Sequence, residues 1–293
     1  MDTPPNKHEL YELCVQSVDH LAPLIRAIHG GRPRVLGEDF AGTAALSHKW
    51  AESAPEARAI AVDLDAEALA YHGSHDRVEK HNADVRAIDT PCDALFVGNF
   101  SIGYLHTRAE LVEYLRHARE RLLPPLPRGG EGRGEGVASD LPLPAGERAG
   151  APGSDSSHSS SVFICDTYGG ESAFLTGQVH RPHPMGDGRV CRYTWEQRDA
   201  DPTTGMVTDV IHFRIERAGV IEHELFDAFV YEWRLWSVPE LRDAMLDAGF
   251  SSTQVYAKLA DAWDEDGNAY VEPVTDGGEE LDESFIVLVV GRV

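Results

Sequence analysis

The chain has 293 residues, enough for one large domain or two small ones with a substantial core. Its composition, 42% hydrophobic and 26% charged, is that of a globular protein. A formal charge of −23 argues against a large nucleic-acid footprint, which needs clustered Lys and Arg, and against an anionic membrane surface; a small neutral or cationic partner fits better.

Residues 8–29 place Leu10, Leu13, Val18, Leu21, Leu24, Ile25 and Ile28 at three- to four-residue steps, which predicts one amphipathic helix. A first strand follows at 34–38, then a helix at 43–53, a second strand at 58–63 and a helix at 66–73. A third strand ends near 81–84, a fourth covers 93–98, and a long helix spans 107–122. This alternation implies a parallel sheet wrapped by helices. Residues 124–160 break the pattern. Gly, Pro or Ser occupy 20 of these 37 positions and none is aromatic, so the segment is expected to be a disordered insertion within one domain.

A fifth strand is expected at 161–166. Residues 189–199 and 206–217 then alternate apolar and polar around a turn at 201–205, and a third extended run covers 221–231. These three predict an antiparallel addition. A helix at 238–249 has Pro239 near its start and Gly249 at its stop, and strands near 252–257 and 284–290 close the chain. His180 and His183 have no partner cluster at metal-ligand spacing, so 180–183 reads as a mobile loop. Asp264-Glu-Asp-Gly-Asn268 fails the calcium-loop pattern, because Ala262 and Pro273 fall where ligands are needed, and reads as a solvated loop. Cys14, Cys92, Cys165 and Cys191 lack C-x-x-C spacing and read as reduced structural thiols. The N-terminus is polar, and no run approaches the ~18 apolar residues of a membrane span, so a cytoplasmic protein is expected.

The chemistry concentrates at 35–44, Val-Leu-Gly-Glu-Asp-Phe-Ala-Gly-Thr-Ala. A strand ends in an acid, Glu38, and passes through small residues into a helix. A second apolar strand then ends in Asp63. Ligands of open α/β sheets lie across the carboxyl ends of the strands, where small residues admit the backbone. An acid at the second tip accepts ribose hydroxyls, although Asp63 could instead cap the next helix. Glu38 is placed to hold a cationic amino-acid tail. G-x-G-x-x-G is absent, and with it the usual pyrophosphate site. The pattern suits S-adenosylmethionine better than a dinucleotide.

On these residues the chain resembles the class I S-adenosylmethionine-dependent methyltransferases. Their acid-x-Gly-x-Gly-x-Gly motif falls on Glu38, Phe40, Gly42 and Ala44, with only the middle glycine retained. Glu-Asp-Phe-Ala-Gly-Thr-Ala at 38–44, Asn-Phe-Ser at 99–101 and Tyr-Glu-Trp-Arg-Leu-Trp at 231–236 are similar to one branch of that superfamily, over 8–123 and 162–291. The resemblance implies an α/β fold, a doubly wound Rossmann-like seven-stranded sheet with an antiparallel last strand and an antiparallel β lid. It implies one domain with a cofactor half at 1–123 and an acceptor and lid half at 161–293. S-adenosyl-L-methionine is the implied cofactor, held by Glu38, Phe40, Gly42, Thr43, Asp63, Leu64, Asp84, Val85 and Asn99. Asp84 and Val85 fall where adenine is read. Asn99 faces the methionine part, or else makes an Asx turn.

The implied acceptor is a small molecule with an N or O nucleophile, met by Tyr11, His106, Tyr168, Trp195, Trp233 and Arg234. His106 could serve as general base or cap the helix that follows. Tyr168, Tyr193, Trp195, Tyr231, Trp233 and Trp236 form a set that either walls a sulfonium site or packs the antiparallel layer. No residue compels assignment as a catalytic acid or base, and no metal is implied. The rival readings are a non-catalytic binder of S-adenosylmethionine or S-adenosylhomocysteine, a nucleotide-dependent oxidoreductase, and an RNA methyltransferase.

Overall fold

Side chains alternate between the two faces of a strand, and here that alternation sorts the apolar residues into separate layers. The computed structural model describes residues 6–16, 18–122, 161–275 and 283–293; the insertion expected at 124–160 lies outside them. Helices α1 (Lys7–Cys14) and α2 (Val18–His29) lead into β1 (Val35–Asp39). Then come α3 (Ala45–Glu52), β2 (Arg58–Asp63), α4 (Ala66–Ala70), β3 (Val78–Asn82), β4 (Ala94–Val97) and α5 (Arg108–Arg121). The second half opens with β5 (Val162–Gly170), followed by β6 (Gly177–Pro184), β7 (Arg189–Asp201), β8 (Met206–Arg217) and β9 (Val220–Arg234). It ends with α6 (Val238–Asp247), β10 (Ser252–Ala257), β11 (Ala262–Trp263), β12 (Ala269–Tyr270) and β13 (Ser284–Arg292).

Seven strands form one sheet in the order β10-β13-β5-β4-β1-β2-β3. β13 runs antiparallel to both β5 and β10, and the other pairings are parallel. Val287 and Val289 of β13 join Phe163 and Cys165 of β5 under Leu115 of α5 and Leu241 of α6. The alternate residues, Leu288, Val290 and Ile164, face Ile25 of α2 and Trp50 of α3. Strands β6 to β9 form a separate antiparallel sheet whose inner residues, Tyr193, Ile211 and Phe213, bury Leu10 of α1. Gly103 lets a 3-10 turn at Ser101–Tyr104 meet this layer. A Cβ there would lie 2.8 Å from Trp233 Cβ.

The fold follows the expected architecture, with four local departures. The helix expected over 8–29 is two helices, because the segments bury against different partners: Leu10 against the four-stranded sheet, Leu24 and Ile28 against the large one. Residues 180–183, expected as a loop, belong to strand β6, which is mostly exposed and, among the described residues, pairs only with β7. Its Pro182 and Pro184 are tolerated because an edge strand need not donate every amide. The segment after Asp261 contains the β11–β12 hairpin, its turn held by the Asp264 carboxylate accepting from the Asn268 and Asp266 amides. The long helix is capped by Thr107 and Glu110, not by His106.

Candidate functional site

At the carboxyl ends of β1, β2 and β4 lies a cavity of about 450 Å³, within the usual size of small-molecule sites. All nine residues expected to meet the cofactor line it. Of the six expected to meet the acceptor, it contains only Tyr11.

Glu38 closes the end of β1 and is 4% exposed. Its Oε2 accepts from the Ser47 amide at 2.9 Å and the Ser47 hydroxyl at 2.6 Å. Burial pushes its carboxyl up from 4.5 to about 7, with Asp63 and Asp39 adding to the rise and the Ser47 bonds opposing it. A raised folded value means that the carboxyl stabilises the fold below about 4.5, and that this contribution is lost as pH rises through about 7. Urea midpoints of the free protein should therefore fall across that window, and Glu38→Gln should flatten the slope. Identical slopes in the two proteins would remove Glu38 as the cause.

The turn after β1 has an unusual backbone. Phe40, Gly42 and Ala44 have φ of 57°, 55° and 61°, and in the loop after β4 Asn99 and Phe100 have 54° and 62°. Non-glycine residues avoid this region unless their surroundings hold them there. Asp63 holds the first loop: its Oδ2 accepts from the Gly42 amide at 2.7 Å and its Oδ1 from the Asp65 amide at 2.8 Å. The helix cap is Asp65, not Asp63. Asp166, buried at β5, holds the second loop. It accepts from the Asn99 amide at 3.1 Å, the Phe100 amide at 2.7 Å and Lys258 Nζ at 2.9 Å. The Ser101 amide, which an Asx turn of Asn99 would use, donates instead to the Gly98 carbonyl at 3.1 Å.

Asp84 lines the cavity and caps the 3-10 turn Val85–Ala87. Arg86 grips both of its oxygens, at 2.9 Å and 2.6 Å, and holds its carboxyl down at about 2. The titratable lining is thus dominated by acids. Arg86 is paired with Asp84, which leaves a cavity suited to a cation.

The roof comes from α1 and β9. Tyr11 packs on Phe229 with centroids 5.0 Å apart, and Phe229 stacks with Tyr231 at 6.2 Å. Burial raises both phenols, so these hydroxyls stay neutral. Glu12 bonds the Thr43 hydroxyl and sits 2.7 Å from His72 Nε2, fastening α1 over the β1–α3 loop.

The other acceptor candidates lie elsewhere. His106 is exposed, and its Nε2 meets the Glu232 carbonyl at 2.9 Å. Arg234 stacks on Trp236 at 3.8 Å and bonds the His106 carbonyl and Glu240. Tyr168 donates to Gln197 at 3.1 Å and Asp209 at 3.2 Å. Trp195 and Trp233 pack around Phe100 and brace the loop from behind. Their aromatic alternation reflected packing of the antiparallel layer.

Sequence reasoning missed His8, Gln16 and Phe229, which line the cavity. With Tyr11 already a candidate, the i, i+3 spacing of His8 on the same helix was the signal that could have found it. A larger concavity of about 670 Å³ on the outer face of the four-stranded sheet is lined by charges that satisfy one another, such as Arg214 with Glu224 and Arg198 with Asp227. Among the described residues, no three His, Cys, Asp or Glu side chains are grouped to hold a metal ion, and no helix is long and apolar enough to cross a membrane.

No protein-family model matches the chain, and no curated protein matches it. Solved structures do. The S-adenosylmethionine-bound amino pentose methyltransferase CalS10 from Micromonospora echinaspora aligns with a TM-score of 0.61 at 16% identity, covering 100% of this chain and 99% of that one. The sugar N-methyltransferase KedS8 from Streptoalloteichus aligns with a TM-score of 0.59 at 17% identity, covering 100% and 94%. The CcbJ methyltransferase from Streptomyces caelestis aligns with a TM-score of 0.56 at 16% identity, covering both chains completely. The chain shares the fold of these methyltransferases.

Proposed function

We propose that the protein is an S-adenosylmethionine-dependent methyltransferase acting on a small-molecule acceptor. The observation that carries this reading is the cavity at the strand tips, with Glu38 and Asp63 at neighbouring tips and two left-handed loops between β1, β2 and β4. A sulfonium and an ammonium both match its acidic lining. When bound, S-adenosylmethionine supplies an electrophilic methyl group on sulfur.

The chain's own residues orient and desolvate. Asp63 has two lone-pair positions left after its amide bonds, which suit ribose hydroxyls. Glu38 Oε2 is taken by Ser47, so Oε1 is the atom offered to a cationic amino group. Asp84 and Val85 suit the edge of adenine. Tyr11, Tyr104, Phe229 and Tyr231 wall the remainder and exclude water. Alignment of two reactants in such a site supplies several kcal/mol, up to ~7–11 in model systems. An amine acceptor in its free-base form needs no protein base; a hydroxyl acceptor requires one. Amino sugars are a natural first acceptor class, because CalS10 is an amino pentose methyltransferase and KedS8 a sugar N-methyltransferase. One domain built from 1–123 and 161–293 would carry both halves of the site, and the negative charge weighs against an RNA acceptor.

Calorimetric titration with S-adenosylmethionine, S-adenosylhomocysteine and NAD tests the reading. Micromolar binding of the sulfur compounds, about −8 kcal/mol, with none for NAD, is the expected result. Binding without turnover across amine and hydroxyl panels would favour a non-catalytic binder. Absence of binding would sink the proposal.

A further inference from the structure

His8 sits in the first part of α1 and is 4% exposed. Its ring lies 5.8 Å from that of Tyr71 and 5.9 Å from that of Phe229, and it lines the cavity. Among the described residues, its Nε2 is buried without a hydrogen-bond partner. A buried polar atom left unpaired costs free energy, typically about 1–3 kcal/mol. Such an atom on the wall of a ligand cavity needs an explanation.

The surroundings locate the ring within the cavity. Asp65 and Glu67, at the start of α4, act on it electrostatically, as does Glu12. The Asp65 amide is bonded to the Asp63 carboxylate, so His8 stands beside the ribose end rather than over Asn99. His8, Tyr11 and Glu12 share one helical face, and Glu12 fixes that face against Thr43. Burial lowers the imidazole from its ordinary value, and Lys7 adds to this. The ring is therefore neutral at pH 7, and either tautomer leaves Nε2 able to make one bond with a hydroxyl.

We propose that His8 is a cofactor-binding residue, its Nε2 hydrogen-bonding a ribose hydroxyl opposite Asp63 and closing α1 over the nucleoside. This inference rests on the methyltransferase reading of the same cavity. It makes α1 part of the nucleoside site rather than only a wall for the acceptor. His8 thereby becomes a second reader of the sugar, on an element outside the strand-tip motif.

The test is calorimetric titration of the full chain with S-adenosylhomocysteine and with its analogue lacking the ribose hydroxyls. His8→Leu should weaken S-adenosylhomocysteine about tenfold, equivalent to ~1.4 kcal/mol. His8→Gln, whose amide reaches the Nε2 position, should recover most of the affinity, and the shorter His8→Asn should not. The analogue should bind wild type more weakly and lose nothing further in His8→Leu. A merely structural role would instead weaken both ligands equally. Unchanged S-adenosylhomocysteine affinity in a folded His8→Leu, or equal losses for both ligands, overturns the inference alone. If wild type binds neither ligand, the methyltransferase reading fails with it. His8→Gln and His8→Asn keep the comparison decisive where His8→Leu fails to fold.

Discussion

Arg121→Leu is expected to destabilise the protein by about 3–5 kcal/mol, the usual result of stripping one partner from a buried ion pair. Arg121 Nη1 reaches both Asp39 oxygens, at 2.9 Å and 2.8 Å, and the Tyr114 hydroxyl donates to the same carboxylate at 2.8 Å. Both side chains are essentially inaccessible, at 1% and 0% exposure. Burial pushes the Asp39 carboxyl up, and Arg121 is the largest influence opposing it. Without the guanidinium, a charge stays in the core with one phenol to solvate it. The alternative is a carboxyl that must protonate. Asp39 lies between Glu38 and Phe40, so the damage would also reach the cavity floor.

Urea unfolding at neutral pH measures the loss. Adding Asp39→Asn to Arg121→Leu should recover part of it, because the uncompensated charge is then gone. A single-variant loss below about 1 kcal/mol, in the range of exposed pairs, would mean that water reaches the pair and that the core argument is wrong.

Asp63→Ala should weaken S-adenosylmethionine by about 1.5–3 kcal/mol, the range for hydrogen bonds to a charged group. That corresponds to roughly 10- to 150-fold in Kd. Two effects add here. The carboxylate no longer accepts from ribose, and the amides of Gly42 and Asp65 lose the acceptor that fixes the loop. Asp63→Asn separates them, since its carboxamide oxygen keeps one amide bond while its charge is gone. Asp63→Asn should therefore fall between wild type and Asp63→Ala. Unchanged affinity in a folded Asp63→Ala would take the ribose assignment away.

The sequence by itself determined the sheet and the strand tips of the cavity. Short apolar runs, then period 3.6, then an acid at 38 and again at 63 are local signals, and Glu38, Gly42 and Asp63 are brought together by nothing more than parallel pairing of adjacent strands. The tertiary structure alone decided what covers that floor. His8 and Tyr11 on α1 meet Phe229 and Tyr231 on β9 more than 200 positions away, and Asp166 holds Asn99 and Phe100 from 67 and 66 positions away. Such pairings obey no spacing rule, because they are set by how two sheets and a helix pack.

The same limit explains the acceptor candidates. Trp195, Trp233 and Arg234 have the composition of a binding wall, yet composition cannot say which side chain along a strand meets a ligand and which meets the core. Packing gave Trp233 to Phe100 and Arg234 to Trp236, and gave the cavity Tyr231 instead. Tyr231 and Trp233 lie two apart on one face of β9, with ring centroids 4.3 Å apart, so position along the strand and not its face separates them. Whether a side chain in that run meets ligand or core was fixed only when the second sheet docked against the first.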